Sequence, residues 1–318
     1  MSQSVSVIIP CYNASRYLRE TLDSALAQTH PPAEILVIDD GSTDDSAAIA
    51  ASYGSTVRVM RQKNQGESIA RNRGIEEATS EWIAFLDADD VWKPEKLQRQ
   101  LALAEDDDVV AVHTNLYYFG ERDGVTRIQD IPEHQRYSLE YLAASNTFKG
   151  PGSTLLVRRD RSPRFPTWTS HGEDHIYCLA LVERGRVRLV EEPLTGYRQH
   201  SSAQSQSAAT CIGWHQMIES WLAENGSRLS SPAACDSIRA RWLRKVAAAG
   251  LSFKYRRQWN EYWKVRAYLE PYRGQAEVDA VFRYRVYPRW VYSAWDRTAG
   301  VFSAHYNRKT RVIDGKPA

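Results

Sequence analysis

The stretch that decides the fold of this chain reads Trp82-Ile83-Ala84-Phe85-Leu86-Asp87-Ala88-Asp89-Asp90. Its apolar residues predict a buried strand, and the carboxylates of Asp87 and Asp89 fall on one face of the extended backbone where that strand leaves the core. Carboxylate oxygens suit Mg or Mn, and Mg is usually held by one or two carboxylates together with substrate phosphates. The stretch therefore predicts a divalent-metal site and a phosphorylated substrate. In the alternative interpretation, Asp89 or Asp90 only caps the following helix.

Length and composition describe an ordinary globular chain. Its 318 residues are 42% hydrophobic, enough for one large domain and a smaller one. No apolar run reaches the length of about 18 residues that spans a bilayer, and the N-terminus lacks a signal-peptide pattern, which favours a cytoplasmic location. The four cysteines form no Cys-x-x-Cys pair, so we expect buried thiols in a reducing compartment and no zinc or redox site.

Charge is distributed unevenly along the chain. Residues 1–200 contain 22 Lys and Arg against 30 Asp and Glu, a net charge of −8, whereas residues 201–318 contain 19 against 9, a net charge of +10. The second part also holds seven of the ten tryptophans. A basic, aromatic surface of this kind indicates an anionic partner such as a membrane face or a nucleic acid.

The first part of the sequence alternates strand and helix patterns. Hydrophobic spacing predicts strands at 4–10, 34–39, 57–60 and 82–86, with a helix between each pair. This order predicts an α/β fold with a mostly parallel sheet and helices on both faces. Ligands of such sheets bind beyond the carboxyl ends of the strands.

The polar residues that follow the predicted strands should therefore converge on one crevice. They are Asn13, Asp39, Asp40, Asp87 and Asp89. The chain has no Gly-x-Gly-x-x-Gly after its first strand and no Gly-Lys-Ser/Thr, so glycine-rich phosphate loops are excluded. We expect a nucleotide site in which a metal and basic side chains hold the phosphates.

Four sequence blocks resemble family 2 glycosyltransferases. They are Ser6-Val7-Ile8-Ile9-Pro10-Cys11-Tyr12-Asn13, Val37-Ile38-Asp39-Asp40-Gly41-Ser42-Thr43-Asp44, Asn64-Gln65-Gly66 with Ala70-Arg71-Asn72-Arg73-Gly74-Ile75, and Phe85-Leu86-Asp87-Ala88-Asp89-Asp90. The resemblance covers residues 4–205 and implies the GT-A fold and inverting transfer from a nucleotide-activated sugar. It divides the chain into a GT-A catalytic domain at 1–205 and a helical, basic, aromatic-rich region at 206–318.

The resemblance places the nucleobase of the donor near the first two strands. Pro10, Tyr12 and Asn13 would surround the base, and one carboxylate of Asp39 and Asp40 would bind its edge, with Asp40 the better candidate. A carboxylate only accepts hydrogen bonds, which suits the N3–H of uracil or thymine and not the bare N3 of cytosine. A UDP-sugar donor is therefore expected. In the alternative interpretation, either Asp only shapes the turn that follows.

The resemblance also implies diphosphate and metal ligands. Arg71 and Arg73 lie two residues apart on a helix, so only one of them should reach the crevice. By resemblance it is Arg71, whose guanidinium would bind the diphosphate bidentately, while Arg73 belongs to a solvated helix face. In the Asp-Ala-Asp motif, Asp89 would contact Mn or Mg directly, and Asp87 would contact the ribose or a metal-bound water. The metal would neutralise the leaving nucleoside diphosphate.

His171-Gly172-Glu173-Asp174 resembles the family's Glu-Asp pair, which supplies the general base. Inverting single displacement needs such a base because the acceptor hydroxyl must lose its proton as it attacks the anomeric carbon. We expect Asp174 to be the base and Glu173 to orient it or to bind the acceptor. In the alternative, both are acidic residues favourably placed in the first turn of a helix. Tyr197-Arg198-Gln199-His200 resembles a segment near the end of the family's catalytic domain, so His200 either contacts the metal or diphosphate or is structural.

The last third of the chain has helical spacing, and its aromatic stripes predict core rather than a ligand platform. Residues 282–311 differ because aromatic and basic residues alternate there. This pattern predicts that 281–318 contacts an anionic membrane surface, and the alternative is a helix that packs back on the catalytic domain. No recognisable nucleic-acid motif accompanies the charge, so no nucleic-acid partner is expected.

The sequence thus predicts a metal-assisted inverting glycosyltransferase of polysaccharide biosynthesis. It would be cytoplasmic or peripheral on the cytoplasmic membrane face, and would transfer a sugar from a nucleotide diphosphate to a hydroxyl of a glycan or lipid-linked glycan. Two alternatives remain. One is a phosphatase or phosphotransferase of the haloacid dehalogenase type, because residues 85–91 also resemble that family's nucleophile strand, although no Gly-Asp-x-x-x-Asp follows. The other is a non-catalytic nucleotide-sugar-binding module, against which the intact acidic motifs count.

Overall fold

The computed structural model describes residues 3–121, 124–126, 132–145, 148–200 and 207–282. The chain divides into two compact units, Met1–Trp242 and Leu243–Ala318. The end of the catalytic domain at residue 205 stays a prediction. Residues 201–206 and 283–318 lie outside the described residues. The basic aromatic stretch at 282–311 and the membrane contact predicted for 281–318 therefore fall almost entirely outside them.

A sheet of nine strands organises the first unit. The strands are β1 (Val5–Cys11), β2 (Glu34–Asp39), β3 (Arg58–Arg61), β4 (Trp82–Phe85), β5 (Val91–Trp92), β6 (Val109–Gly120), β7 (Gly124–Thr126), β8 (Leu156–Arg158) and β9 (Arg186–Gln199). Their order along the sheet is β3-β2-β1-β4-β8-β6-β9-β5, and β7 pairs with β6 off this path. The four predicted strands are confirmed as β1 to β4.

The direction of the strands changes along the sheet. β1 is parallel to β2 and to β4, β2 is parallel to β3, and β6 is parallel to β9. β8 is antiparallel to both β4 and β6, and β5 is antiparallel to β9. The predicted parallel sheet is therefore built by the first four strands, and the later strands extend it as a mixed sheet.

The two units together contain twelve α-helices within the described residues. They are α1 (Leu18–Leu26), α2 (Ser46–Ala51), α3 (Glu67–Glu77), α4 (Lys96–Leu101), α5 (Glu133–Arg136), α6 (Leu139–Ala144), α7 (Pro151–Thr154), α8 (Glu173–Leu181), α9 (Ala208–Asn225), α10 (Pro232–Tyr255), α11 (Trp259–Leu269) and α12 (Ala276–Phe282). Short 3-10 turns occur at Gly54–Thr56, Arg159–Arg161, Gly226–Arg228 and Glu270–Tyr272.

Alternation of side chains along β1 explains why helices cover both faces of the sheet. Val7 and Ile9 belong to one apolar core, which also contains Leu18 of α1. Ile8, between them, belongs to the core on the other face. There α3 comes so close that a Cβ at Gly74 would lie 2.3 Å from Cγ2 of Ile8. Because successive side chains of a strand point to opposite faces, one apolar run supports both layers.

Helices α8 and α9 pack in the same core as Ile8. Tyr177 of α8 and Trp221 of α9 are buried in it, together with Trp242 at the end of the first unit. The indole Nε1 of Trp242 donates to the carbonyl of Ala143 at 2.7 Å. The prediction that the aromatic stripes form core is therefore confirmed for Trp221 and Trp242.

Two further predictions concern the cysteines and membrane spans. Cys11 and Cys178 are buried, as predicted, and burial raises the pKa of the Cys11 thiol to about 11. Cys211 and Cys235 are partly exposed, so the expectation of four buried thiols is wrong for these two. Over the part of the chain that the structure describes, no helix is both long and apolar enough to cross a membrane.

Candidate active site

A cavity of about 730 Å³ opens at the carboxyl ends of β1, β2 and β4. Its strand side is formed by Tyr12, Asn13, Asp40, Asp87 and Asp89. Its helix side is formed by His171, Glu173, Asp174, Thr210 and Trp214, at the start of α8 and on α9. Pro10, Arg71 and His200 also line it. The structure thus brings together every predicted site residue except Asp39.

Asn13 links the loop after β1 to the loop after β2. Its backbone is left-handed, with φ 51°, a conformation that Asn adopts more readily than most residues. Its Oδ1 accepts the backbone N–H of Thr43 at 2.8 Å, and its own N–H donates to Oγ of Ser42 at 3.0 Å. Asn13 therefore fixes the loop that presents the ring of Tyr12, which is 52% exposed at the cavity.

Asp39 and Asp40 have different surroundings. Asp39 is fully buried, pairs with Nε of Arg61 at 3.1 Å and does not line the cavity. Asp40 does line it, and its carboxylate accepts the backbone N–H groups of Gln65 and Gly66 at 3.0 and 2.8 Å. Asp40 therefore holds the loop before α3. Nε2 of Gln62 also donates to Asp40 at 2.8 Å, and the acceptor capacity that remains on the carboxylate is what the edge of a base would use.

Arg71 connects the two sides of the cavity. Its side chain is 1% exposed, and its Nη2 donates to Asp87 at 2.7 Å and to Glu67 at 2.5 Å. Its Nη1 donates to Oδ1 of Asp174 at 3.1 Å. Three carboxylates thus surround this one cation, so a bidentate contact with a diphosphate requires Arg71 to exchange partners. Arg73 does not line the cavity and donates to the carbonyl of Arg61 instead.

The acidic turn after β4 contains carboxylates in two kinds of environment. Asp90 is buried, and its Oδ2 accepts the hydroxyl of Ser153 at 2.6 Å. Asp87 and Asp89 remain 24% and 36% exposed, and Oδ2 of Asp89 lies 2.9 Å from Nε2 of His200. Removal from water raises the pKa of Asp89, the charge of Asp87 raises it further, and His200 opposes the shift. Asp90 is an anchor of the turn, and the other two carboxylates face the cavity.

These carboxylates fit a cation that binds together with its substrate. Among the residues that the structure describes, no three His, Cys, Asp or Glu side chains cluster closely enough to hold a metal by themselves. Asp87 and Asp89 offer the oxygen ligands that Mg²⁺ and Mn²⁺ prefer, and Mg²⁺ commonly completes its shell with water and substrate phosphates. The donor set therefore suits a metal–diphosphate complex better than a metal bound alone.

Gly152 and Ser153 support this turn, a role that the sequence did not reveal. A Cβ at Gly152 would lie 2.6 Å from both carboxylate oxygens of Asp87 and equally close to Nη2 of Arg71. Oγ of Ser153 accepts the N–H of Asp87 at 3.0 Å and donates to Asp90. The segment Gly150-Pro151-Gly152-Ser153 has the sequence of a turn, and a turn sequence does not by itself place the segment beside the acidic motif.

Asp174 has the environment of a proton acceptor. Its carboxylate is 28% exposed at the cavity, and its Oδ1 accepts one N–H of Arg71. Removal from bulk water raises the pKa of Asp174 to about 7, the charges of Glu173 and Asp87 raise it as well, and Arg71 lowers it. A general base is most effective when its pKa lies near the working pH. Asp174 can therefore take up a proton near neutrality.

Glu67, at the start of α3, is a second residue whose role the sequence did not reveal. It lines the cavity and pairs with Arg71. The side chain of Glu67 is 46% exposed, and its partial removal from water raises its pKa. The charges of Asp87 and Asp174 add to this shift, and Arg71 opposes it. Glu67 thus adds a third carboxylate around Arg71, and its raised pKa reflects both its partial removal from water and the crowding of negative charge there.

Helix α9 fixes the helix side of the cavity through two glycines. A Cβ at Gly213 would lie 2.2 Å from Cδ2 of His171, and a Cβ at Gly172 would lie 2.5 Å from Cε of Met217. Gly172 has φ 75°, a conformation that glycine adopts without strain. The glycines allow α9 to approach the turn before α8 closely, and this contact positions the first residues of α8.

Comparison with known proteins identifies a sequence family. The family model described as glycosyl transferase family 2 matches residues 6–162. The uncharacterized glycosyltransferase alr2836 of Nostoc sp. is 37% identical over 223 residues, which are 65% of this chain and 68% of that protein. The putative teichuronic acid biosynthesis glycosyltransferase TuaG of Bacillus subtilis is 43% identical over 226 residues, which are 69% of this chain and 86% of that protein.

Solved structures share the fold. Residues 1–349 of TarS from S. aureus, in complex with UDP-GlcNAc, match with a TM-score of 0.62 at 20% identity, over 88% of this chain and 84% of that chain. The mannosyltransferase PcManGT from Pyrobaculum calidifontis, in complex with GDP-Man and Mn²⁺, matches with a TM-score of 0.57 at 18% identity, over 98% of this chain and 83% of that chain. The predicted GT-A fold with C-terminal helices is therefore confirmed.

Proposed function

The chain belongs to glycosyltransferase family 2, and on that premise we propose that it transfers a sugar, with inversion, from a nucleotide diphosphate to a hydroxyl of a glycan or lipid-linked glycan. Family membership removes the haloacid dehalogenase alternative. The observation that carries the proposal is the guanidinium of Arg71, which binds Asp87 and Asp174 at the same time. A carboxylate suited to a metal–diphosphate complex is thereby held next to a carboxylate suited to proton transfer.

Asp174 is the general base of the proposed reaction. The acceptor oxygen attacks the anomeric carbon while its proton passes to the Asp174 carboxylate, and the bond from that carbon to the diphosphate oxygen breaks. The raised pKa of Asp174, about 7, keeps the carboxylate a good proton acceptor and leaves enough of it deprotonated near neutral pH. Arg71 holds the carboxylate through Oδ1. Glu173, which also lines the cavity, orients the acceptor.

Asp89, with Asp87 and His200 beside it, holds Mn²⁺ or Mg²⁺ in this proposal. Such an ion, when bound, would neutralise the charge that develops on the leaving diphosphate. His200 keeps the Asp89 carboxylate in position through the contact between Nε2 and Oδ2. The complex of PcManGT with GDP-Man and Mn²⁺ supports a divalent ion in this fold.

A UDP-sugar is the donor that we propose. The exposed ring of Tyr12 offers a stacking surface for the base, with Pro10 and Asn13 around it. Asp40 lines the cavity nearby, and a carboxylate suits the N3–H of uracil because it only accepts hydrogen bonds. The TarS complex with UDP-GlcNAc supports this choice.

A glycan or lipid-linked glycan is the proposed acceptor. The name of TuaG, a putative teichuronic acid biosynthesis glycosyltransferase, supports polysaccharide biosynthesis. The net charge of +10 on residues 201–318 supports a peripheral position on the cytoplasmic face of a membrane through residues 281–318.

Thermal-shift measurements with UDP-GlcNAc, UDP-glucose, GDP-mannose and CDP, each with and without Mn²⁺, test the proposed function. A ligand at 100 times its dissociation constant stabilises the folded protein by about 2.7 kcal/mol, which such measurements detect. We expect a UDP-sugar to raise the melting temperature most, and only in the presence of the metal. Stabilisation by none of the nucleotides would contradict the proposal.

A further inference from the structure

Trp214 and Thr210 are the two residues of α9 that line the cavity. They lie four positions apart on the helix, so their side chains are neighbours on one helix face. The buried tryptophans Trp221 and Trp242 belong to the core, whereas Trp214 is only partly buried. One aromatic ring and one hydroxyl of α9 thus stand in the wall of the cavity, next to the start of α8.

The ring of Trp214 is held in place from behind. Its centroid lies 5.5 Å from the ring of Trp242 and 6.0 Å from the ring of His175, at interplanar angles of 36° and 39°. Gly172 lies against the indole, since a Cβ there would be 3.6 Å from Cδ2 of Trp214. Trp242 is itself fixed by its hydrogen bond to Ala143. These contacts make Trp214 a rigid surface that needs little ordering when a ligand binds.

We propose that Trp214 and Thr210 form a platform for a sugar ring of the acceptor, placed beside Asp174. This inference rests on the proposed function. The faces of a pyranose ring carry C–H groups, which pack on the electron-rich face of an indole. Thr210, whose hydroxyl lies 3.0 Å from Oγ of Ser207, adds a group beside this ring that can both donate and accept hydrogen bonds. Ligand sites commonly combine an aromatic wall with a few such polar groups.

The position of the platform favours the acceptor over the nucleobase. The exposed ring of Tyr12 lies at the end of β1, on the strand side of the cavity. Trp214 lies on the helix side, where Gly172, two residues before Asp174, touches it. A sugar ring on Trp214 therefore brings one of its hydroxyls to the general base, while the donor occupies the strand side.

Glu173 provides a second and independent observation. Its Oε2 is buried and accepts no hydrogen bond within the described part of the chain. A buried carboxylate oxygen without a donor is unfavourable, and a ligand hydroxyl that donates to it removes that cost. Glu173 lines the cavity on the same side as Trp214. A saccharide on the platform supplies hydroxyl donors of this kind.

The experiment compares Trp214→Ala and Trp214→Phe with the full-length wild type, using UDP-GlcNAc and UDP-glucose as donors with Mn²⁺. The acceptor probes are p-nitrophenyl glycosides of α- and β-linked glucose, galactose and N-acetylglucosamine. UDP release without a probe reports donor hydrolysis, and release with a probe reports transfer. Trp168→Ala is the matched control, because Trp168 is 55% exposed and does not line the cavity.

We expect Trp214→Ala to raise the KM for the best saccharide probe by about tenfold, Trp214→Phe to raise it less, and Trp168→Ala to leave it at the wild-type value. An unchanged KM in Trp214→Ala would overturn the platform. A wild type that hydrolyses the donor, but faster with none of the saccharides, would overturn it too and leave the proposed function standing. Absence of donor hydrolysis from the wild type would count against the proposed function itself.

Discussion

The strand side and the helix side of the cavity are built by different means. On the strand side, each functional residue follows directly after a strand, so the parallel sheet alone brings the residues together. On the helix side, Asp174 and Trp214 are far apart in sequence and line the same cavity because α9 packs on the turn before α8. The strand side can therefore be predicted from local sequence motifs, whereas the helix side depends on tertiary packing.

Arg71 is the residue on which this comparison depends. It binds Asp87 on the strand side and Asp174 on the helix side through the two ends of one guanidinium. If the comparison is correct, damage to the strand side weakens donor binding, and damage to the helix side weakens transfer while the donor still binds. Loss of Arg71 affects both sides.

Among changes on the strand side, Asp89→Ala should have the largest effect, because it removes the carboxylate that is proposed to hold the metal. We expect metal-dependent UDP binding to disappear and kcat/KM to fall by about 10³ or more, because metal stabilisation of developing charge is worth several kcal/mol. Titration calorimetry with UDP in Mn²⁺ and steady-state kinetics measure the two effects. Asp107→Ala, at an exposed loop position, is the control. Unaltered Mn²⁺-dependent affinity in Asp89→Ala would remove Asp89 from the metal site.

Arg71→Gln removes the ion pairs that connect the strand side of the cavity to its helix side. Removing the cation leaves three carboxylates without their partner. Because these carboxylates are 24 to 46% exposed, we expect the loss of stability to stay below the roughly 3 to 5 kcal/mol of a fully buried ion pair. Urea denaturation measures the free energy of unfolding. Arg73→Gln is the matched control on the same helix and should change stability by less than about 0.5 kcal/mol. Equal free energies of unfolding for Arg71→Gln and Arg73→Gln would show that Arg71 does not hold the two sides of the cavity together.

Gly213→Ala disturbs the helix side alone. The new Cβ would lie 2.2 Å from the ring of His171, so the turn before α8 must move. A displacement of about 1 Å can cost about 10² in rate, so we expect turnover to fall to that extent while UDP affinity is unchanged. Gly226→Ala, where the nearest atom is Sγ of Cys235 at 3.2 Å, serves as control. A parallel loss of UDP affinity in Gly213→Ala would mean that the two sides are not separable.

The pH dependence of turnover gives the smallest effect. The pKa of Asp174 is raised to about 7, and only its deprotonated form accepts the acceptor proton. Turnover at saturating donor should therefore rise with pH, reach a plateau above about pH 7 and fall about tenfold per unit below it. Because Arg71 lowers the pKa of Asp174, Arg71→Gln should move this rise to higher pH. A flat profile between pH 5.5 and 8 would argue against a base with this pKa.

The sequence predicted the first half of the fold well, for a physical reason. The strands β1 to β4 are apolar runs separated by amphipathic helices, and a parallel sheet follows from that order alone. The later strands β5 and β8 contain two and three residues, too few for a periodic pattern to emerge. The mixed part of the sheet depends on their pairing with distant strands, which the sequence does not reveal.

The candidate site could be predicted to a similar degree. The acidic pairs after β2 and β4 were visible as residues at strand ends, but which of Asp39 and Asp40 lines the cavity depends on the turn that follows. Gly152 and Trp214 were missed because each belongs to the site only through packing against a distant segment. Small residues and aromatic stripes have the same sequence pattern in a core as in a site.

The role of Asp174 as general base is tested by the turnover of Asp174→Asn at saturating donor, measured together with its affinity for UDP in Mn²⁺. Asn preserves the shape of the side chain but cannot take the acceptor proton at neutral pH. If Asp174 is the base, turnover falls by about 10² to 10⁴ while UDP affinity stays at the wild-type value. Near-normal turnover, in an assay where chemistry limits the rate, would contradict the assignment of Asp174 and make Glu173 the next candidate.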